Sequence, residues 1–200
     1  IQSAFQIAND QAFIIRNTPP IEGIIRAKAN NGVDPYDGST LETWRERLAD
    51  IFRSHLEVER EYTQIRFIGI EDGGREIVRV NRLAEGYEIV DAQELQRKGE
   101  EFYFQPGLMT PQDAIYTSPI TVNREFGGPS GDMTPTVRTI VSVRTPEGDP
   151  IGIIVINSDI RVIMEEALLE AAPDYEVYIS DSQDNFIHYL PDQGVVRNEF

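Results

Sequence analysis

Arginine side chains within predicted β-strands are the residues of this chain best suited to bind another molecule. Arg66 and Arg79 interrupt apolar runs on the two sides of a turn, and Asn81 lies on the same strand face as Arg79. Arg138 interrupts a later apolar run. A guanidinium group placed in a strand needs an anionic or acceptor partner. Three arginines together would suit a carboxylate or a similar anion, bound by paired N–H···O contacts.

Three uncharged polar side chains could line the same binding space. Tyr116 and Ser118 share one face of a later predicted strand, but the sequence does not show whether it is the face of Arg66. Tyr103 belongs to an aromatic segment that is expected to pack over the sheet. The candidate ligand-binding residues are therefore Arg66, Arg79, Tyr103, Tyr116, Ser118 and Arg138.

A second interpretation of these arginines needs no ligand. Arg66 or Arg79 could be neutralised within the protein, for instance by Asp159 or Glu71, because buried charges are usually paired. The segment Asn157-Ser158-Asp159 also has two interpretations, since Ser and Asp suit a helix N-cap while the same residues could line the pocket. The sequence leaves both alternatives open.

The charge balance argues against two classes of partner. The 200 residues carry a net charge of −16, whereas nucleic-acid binding needs a basic face and anionic lipid would repel such a surface. Only two of the 18 basic residues are lysines, Lys28 and Lys98, which fits either a salt-rich habitat or an arginine codon bias. The hydrophobic content of 40% is typical of a globular chain.

The sequence contains no recognisable catalytic or cofactor motif. It has no Cys, which excludes disulfides, thiolate nucleophiles and Cys-based metal sites. His55 and His188 are isolated from one another, so a metal site is not expected. Gly128-Pro-Ser-Gly131 does not match the G-x-S-x-G nucleophile elbow, and the phosphate-binding G-x-x-x-x-G-K-[ST] motif is missing. We therefore predict a non-catalytic region without a cofactor or a metal.

Helical patterns occupy the first 61 residues. Apolar residues recur at helical spacing over residues 1–16, Pro19-Pro20 ends that pattern, and a short helix is predicted over 21–29. Ser39 or Thr40 offers an N-cap for the strongest predicted helix, which continues to about Glu61.

Strand patterns follow, beginning with a hairpin over residues 62–82. Asp72-Gly73-Gly74 supplies its turn, because glycine adopts positive φ without steric cost. The remaining predicted elements are an insert at 83–112 with a short helix at 91–98 and an aromatic segment at 101–104, strands at 115–123, 136–145 and 151–157, and a helix from Asp159 to about Ala171, ended by Pro173-Asp174.

The last segment repeats the pattern of the first hairpin. When residues 176–184 are set against 66–74, the apolar strand and the polar turn fall in register. This suggests that a second module begins near Tyr175 and is cut off at Phe200. The predicted organisation is a helical region at 1–61, a ligand-binding module at 62–172, and the start of a second module at 173–200.

The order of these elements is that of a PAS-like sensor module, and several ordered segments together resemble a double Cache domain. These segments are FIGIEDGGREIVRVN from Phe67, YF from Tyr103, IYTSPI from Ile115, VR from Val137 and GIIVIN from Gly152. The family comprises the extracytoplasmic sensor regions of transmembrane histidine kinases, chemoreceptors and related receptors. The resemblance covers roughly residues 40 to 190.

The resemblance implies an α/β (α+β) fold with a central five-stranded antiparallel sheet, a long N-terminal helix and a helical lid. It also implies a small-molecule ligand between the sheet and the lid, and a membrane anchor outside this chain. A homodimer through the N-terminal helix is expected from the same resemblance. The alternative is a structural or dimerisation module that binds no ligand and relays the signal of a partner protein.

Overall fold

The computed structural model describes residues 2–125, 128–129, 134–170, 177–180, 186–189 and 197–199. Three helices come first: α1 (Gln2–Arg16), α2 (Pro19–Ala29) and α3 (Leu41–Val58). Pro19 and Pro20 begin α2, because proline is tolerated in the first turn of a helix, where its missing N–H has no intrahelical partner. The predicted N-cap of α3 is confirmed, since the Thr40 side chain accepts a hydrogen bond from the Thr43 N–H.

Twelve strands and three further helical segments follow among the described residues. In chain order they are β1 (Tyr62–Gly69), the turn α4 (Glu71–Gly74), β2 (Glu76–Arg82), β3 (Tyr87–Ile89), α5 (Phe104–Met109), β4 (Tyr116–Thr117), β5 (Thr121–Val122), β6 (Arg124–Glu125), β7 (Gly128–Pro129), β8 (Pro135–Arg144), β9 (Pro150–Asp159), α6 (Ile160–Glu170), β10 (Val177–Ser180), β11 (Phe186–Tyr189) and β12 (Arg197–Glu199).

The main sheet is antiparallel, in the order β3-β2-β1-β9-β8-β4, with β5 also paired to β8. The predicted α+β fold is confirmed, with seven strands in this sheet where five were predicted. One additional strand, β3, pairs outside β2. The other arises because the stretch predicted as one strand at 115–123 is divided around Pro119, which has no N–H for a ladder hydrogen bond.

The predicted hairpin is formed by β1 and β2. Its turn needs left-handed backbone at three successive positions, with φ of 49° at Asp72, 70° at Gly73 and 74° at Gly74. A Cβ on Gly74 would lie 2.4 Å from the backbone nitrogen of Gly99. Glycine is therefore required here both for its backbone conformation and for the close approach of the insert.

One face of the sheet is covered by the helices. Apolar side chains of β1, β2, β8 and β9 are buried there against α1, α2 and α3. They include Ile65, Phe67, Val78, Val80, Val141, Ile154 and Ile156. The opposite face carries Arg66 and Ile68 and lies under the insert, whose Tyr103 and Phe104 pack on Ile68, Ile140 and Val155. We call this second face the lid face.

The insert differs from its prediction. The helix predicted at 91–98 is wrong: this segment consists of turns and single bridges, and the helix of the insert is α5. The backbone of residues 91–98 forms hydrogen bonds with the hairpin instead of helical ones: Gln96 O accepts from Glu76 N, and Lys98 N donates to Gly74 O. Pairing with the hairpin thus outweighs local helix propensity, which is a weak preference for so short a segment.

The last described strands form a separate three-stranded antiparallel sheet in the order β10-β11-β12. The predicted second pair of strands is confirmed, with Ile179 opposite Ile187. The predicted helix end at Pro173-Asp174 and the polar turn at 181–184 lie outside the described residues. That this sheet begins a second PAS-like module stays a prediction.

Candidate ligand-binding site

Register places four of the predicted site residues on the lid face. Directly paired residues of antiparallel strands project to the same side of a sheet. Tyr116 pairs with Ile140, Ile140 with Val155, Val155 with Arg66, and Arg66 with Arg79. Tyr116, Arg66 and Arg79 therefore share one face, a point that the sequence left open. The second row of pairs, two residues along each strand and therefore on the same face, adds Arg138.

This second row is polar along its whole length. Arg138 pairs with Asn157, Asn157 with Gln64, and Gln64 with Asn81. The amide groups are joined: Asn157 Nδ2 donates to Gln64 Oε1 at 3.2 Å, and Gln64 Nε2 donates to Asn81 Oδ1 at 2.7 Å. Asn157 Oδ1 accepts from Arg66 Nη2 at 3.1 Å. This bond joins Arg66 of the first row to the second row in one polar network.

Tyr103 from the insert closes over two of the arginines. The guanidinium Cζ of Arg138 lies 5.0 Å from the Tyr103 ring centroid, and that of Arg66 lies 5.7 Å from it. All three residues are at most 2% exposed. Burial, together with the charge of the neighbouring Arg66, lowers the pKa of Arg138 to about 10. Burial raises the pKa of Tyr103, although both guanidinium groups oppose the shift.

Glu76 is the internal counter-ion of the network. Its side chain is fully buried, with Oε1 lying 3.6 Å from Arg66 Nη1 and Oε2 lying 3.3 Å from Arg79 Nη1. Arg79 Nη1 also lies 3.1 Å from Glu125 Oε2. The prediction that Arg66 or Arg79 is internally paired agrees with these contacts, but the partners proposed for them are wrong.

Both of the partners named from the sequence are used elsewhere. Asp159 Oδ1 accepts from the Arg161 N–H at 2.9 Å, which is the N-capping of α6 that was one of the two interpretations, and its carboxylate pairs with the Arg161 side chain. Glu71 lies 2.6 Å from Lys28 Nζ at the surface. Spacing alone could not reveal that Glu76, three positions from Arg79, projects to the buried face.

Several buried nitrogen donors of this network have no hydrogen-bond acceptor among the described residues. Arg66 Nε and Nη1, Arg79 Nε and Arg138 Nε have no hydrogen-bond partner among the described residues. Glu76 Oε1 is likewise without a hydrogen bond in that part of the chain. A buried donor without a partner costs about 1–3 kcal/mol, so a ligand oxygen that reached these groups would relieve a penalty already present.

A cavity of about 440 Å³ opens beside Arg79 on the lid face. All of its lining residues except Leu83 are polar or charged: Thr63, Gln64, Arg79, Asn81, Arg82, Leu83, Glu88, Glu94, Asn123, Glu125 and Thr134. The Arg82 guanidinium is already used at the end of α3, where it donates to the backbone carbonyls of Leu56, Glu59 and Tyr62. Arg79 is therefore the lining arginine best placed to meet a ligand.

Tyr116 and Ser118 contribute differently from the arginines. The Ser118 hydroxyl accepts from the Arg138 N–H at 3.0 Å and donates to Pro119 O at 2.8 Å, so it fixes the backbone beside Arg138. Tyr116 is half-buried and packs against the apolar cluster that contains Tyr103. Their assignment as ligand contacts stays a prediction.

Four residues of this site were missed from the sequence: Gln64, Glu76, Lys98 and Glu125. Asn157, for which the sequence allows either a cap or a pocket position, lies between Arg66 and Gln64. Gln64 could have been identified from the sequence, because side chains two positions apart on a strand share a face and Gln64 is two positions from Arg66. Glu125 and Lys98 reach the site only through the fold of the insert and of the segment before β8.

Two other kinds of site were sought in the described part of the chain. There, no group of three or more His, Cys, Asp or Glu side chains could hold a metal ion. None of the helices described is both long and apolar enough to span a bilayer.

Comparison with known proteins identifies the class of the chain. The family of bacterial histidine kinase sensor domains matches residues 30–187. The chain belongs to this family. It is a sensor domain, a non-catalytic region of a signal-transduction protein. No curated protein matches it in sequence.

Solved structures with the same fold include extracellular and ligand-binding domains. The extracellular domain of a protein described as a histidine kinase, vpHK1S-Z8, is 18% identical, with a TM-score of 0.65, and the match covers 86% of this chain and 57% of that one. A domain of a sensory box/GGDEF family protein from Vibrio parahaemolyticus is 19% identical, with a TM-score of 0.66 and coverage of 86% and 60%. The ligand-binding domain of the Campylobacter jejuni chemoreceptor Tlp3, in complex with L-norvaline, is 13% identical, with a TM-score of 0.51 and coverage of 92% and 68%.

At these identities the structures show a shared fold. The chain spans less than two thirds of the length of the first two of these domains.

Proposed function

We propose that this sensor domain is extracytoplasmic, belongs to a membrane-anchored histidine-kinase-type receptor, and binds a small carboxylate-bearing molecule on its lid face. The observation that carries the ligand proposal is the set of buried guanidinium nitrogens without a hydrogen-bond acceptor in the described chain, one of which belongs to Arg79 in the wall of a cavity of about 440 Å³. Guanidinium groups bind carboxylates through paired N–H···O contacts.

The location of the polar groups supports a ligand between the sheet and the insert. Arg66 and Arg79 come from the sheet, whereas Tyr103 comes from the insert that covers it. A molecule that contacted both would favour the closed arrangement over an open one, and its differential affinity would set how far the equilibrium moves. Signal transfer through a helix that continues towards the membrane is part of this proposal.

The related folds are consistent with this ligand class. The Tlp3 domain was solved with L-norvaline, an amino acid, and so with a molecule that carries a carboxylate. Glu94 lines the same cavity as Arg79, so a ligand with both an amine and a carboxylate could satisfy both charges.

A second function is favoured by one specific observation. Glu76 and Glu125 already engage Arg66 and Arg79, as expected of a filled scaffold that needs no ligand. Such a domain would serve dimerisation or relay a partner's signal. Both proposals assume the same domain organisation: a distal module at 62–172 and the start of a second module at 173–200.

A thermal-shift screen separates the two functions. Each small carboxylic acid or amino acid is compared with the amide of the same skeleton, at equal ionic strength. A ligand-binding sensor gives a saturable rise in Tm with acids and a much smaller one with amides, because only the carboxylate fits paired guanidinium contacts. A filled scaffold gives a flat response to both series.

Homodimerisation through the N-terminal helix also stays a proposal. Ile7 and Ile14 of α1 are 43% and 59% exposed, while Ala8, Ala12 and Ile15 are buried against the rest of the domain. Ile7 and Ile14 lie two turns apart on one side of the helix. Sedimentation velocity is expected to show a dimer for the wild type and a monomer for Ile14→Glu. A monomer for the wild type as well as the variant would contradict the proposal.

A further inference from the structure

Glu125 is held by polar donors that come from four parts of the chain. Its Oε2 accepts from Arg79 Nη1 at 3.1 Å and from Gln96 Nε2 at 2.6 Å. Its Oε1 accepts from Gln64 Nε2 at 3.1 Å and from Asn123 Nδ2 at 3.4 Å. Each carboxylate oxygen therefore has two donors, so together they form a complete binding site for one carboxylate.

A buried ammonium group adds to this site. Lys98 is 2% exposed, and its Nζ lies 3.8 Å from Glu125 Oε2 and donates to Arg124 O at 3.0 Å. Burial alone would raise the pKa of the Glu125 carboxyl, but the charges of Arg66, Lys98 and Arg79 and the Gln64 hydrogen bond outweigh it, so the pKa is lowered. The surroundings thus favour an anion at this position.

The carboxylate of Glu125 lies beside space that an external carboxylate could enter. Glu125 itself lines the cavity of about 440 Å³ and keeps 21% of its side chain exposed. Arg79 lines the same cavity, and its buried Nε has no hydrogen-bond partner among the described residues. Arg79 therefore has a further donor that Glu125 does not use, although a ligand would have to displace Glu125 to reach it.

We infer that the donors around Glu125 form the carboxylate subsite of the sensor, and that Glu125 occupies this subsite as an internal competitor of the ligand. The inference rests on the proposed ligand-binding function and extends it to Gln64, Gln96 and Lys98. A ligand carboxylate must displace Glu125 from Arg79, so the apparent affinity of the ligand is its intrinsic affinity multiplied by the fraction of molecules in which Glu125 has left the subsite. Removing the Glu125 carboxylate raises the affinity for external carboxylates.

Acetate is the probe that tests this inference without knowledge of the natural ligand. Sodium acetate is titrated against the wild type, Glu125→Ala and Glu88→Ala at constant ionic strength, and Tm is recorded. Glu88 is the matched control because it lines the same cavity but accepts from Asn81 Nδ2. Glu125→Ala is expected to be stabilised saturably by acetate, with an apparent Kd at least tenfold below those of the other two proteins. Glu125→Gln removes the charge while preserving the shape, and it replaces Glu125→Ala if that variant does not fold.

The outcomes distinguish this inference from the proposed function. Equal acetate responses in all three proteins overturn the subsite. If the acid panel binds the wild type but Glu125→Ala gains no affinity for acetate, the internal competitor is wrong and the sensor proposal stands. If acetate binds Glu125→Ala while the whole panel leaves the wild type unchanged, the subsite is real and the proposed function fails.

Discussion

Arg79 and Glu125 are 46 positions apart in the chain, and a contact of 3.1 Å between Nη1 and Oε2 joins them at the wall of the lid-face cavity. Arg79 belongs to the central hairpin, whereas Glu125 lies in the segment before β8. Arg79 also contacts the buried Glu76. It therefore connects the internal charge network to the surface that a ligand would meet, and the first predictions concern these charges.

Replacing Glu76 by Gln should destabilise the domain strongly. Its carboxylate is the fully buried counter-ion of Arg66 and Arg79, and removing one partner of a buried ion pair costs about 3–5 kcal/mol. Urea denaturation measures the loss in the free energy of unfolding. The matched control is Glu71→Gln, which breaks the exposed pair with Lys28 and should cost less than about 1 kcal/mol. Equal losses in the two variants would show that Glu76 does not neutralise the arginines.

The ring of Tyr103 should matter more than its hydroxyl. Its aromatic face lies against the guanidinium groups of Arg66 and Arg138, where desolvated cation–π contacts contribute about 2 kcal/mol or more. Tyr103→Phe is therefore expected to keep the stability of the wild type to within about 1 kcal/mol, while Tyr103→Leu loses about 2 kcal/mol or more. Chemical denaturation compares the two variants. A larger loss in the free energy of unfolding for Tyr103→Phe than for Tyr103→Leu would show that the hydroxyl, and not the ring, stabilises the domain.

Acid should weaken the contact between α2 and the loop before α3. The hydrogen bonds from Arg26 lower the pKa of Asp34 from its ordinary 3.8 to about 2, and the Tyr36 N–H adds to the shift. A lowered pKa in the folded state means that this stabilisation is complete above the unfolded pKa and is lost as the pH falls from about 4 towards 2. Asp34→Asn should therefore be less stable than the wild type near pH 6, and the difference should shrink below pH 4.

The control for this pH dependence is Asp50→Asn. Asp50 forms an exposed pair with Arg53 at 3.0 Å along helix α3, a geometry that contributes little to stability. Thermal denaturation from pH 2 to pH 6 follows all three proteins. A constant difference between Asp34→Asn and the wild type over this range would contradict the assigned pKa shift.

Arg79→Lys should weaken carboxylate binding while preserving the charge. A lysine offers one ammonium point charge where arginine offers a planar pair of donors, so affinity for the best acid is expected to fall at least tenfold, about 1.4 kcal/mol. Titration calorimetry measures the affinity of the wild type and of each variant for that acid. Arg53→Lys, on the exposed face of α3, controls for the substitution itself. Unchanged affinity in Arg79→Lys would remove Arg79 from the site.

The fold was predictable from the sequence where local signals are strong. The Asp72-Gly73-Gly74 turn, the N-cap at Thr40 and the apolar strands predicted at 136–145 and 151–157 depend on neighbouring residues, and all agree with the structure. The insert was not predictable in the same way. Residues 91–98 look helical in isolation, but their backbone pairs with the hairpin and with Gly74, which no local pattern records.

The site was predictable in residue type and only partly in its contacts. The arginines were recognised because a cation within an apolar strand is unusual. Their partners depend on register and on long-range packing: Glu76 reaches Arg66 across a β-bulge in the hairpin, and Glu125 reaches Arg79 from another segment. The choice of Asp159 failed for this reason, since its carboxylate pairs with Arg161 in the first turn of α6.

The measurement that tests the account most directly is a crystal structure of the domain with the acid that raises Tm most in the paired acid and amide screen. The account predicts a carboxylate of that acid within hydrogen-bonding distance of the Arg79 guanidinium, in the cavity between the sheet and the insert, with the Glu125 side chain displaced from Arg79. An acid bound elsewhere on the domain, or a saturated crystal in which Glu125 still holds Arg79 and the cavity contains no acid, would contradict it.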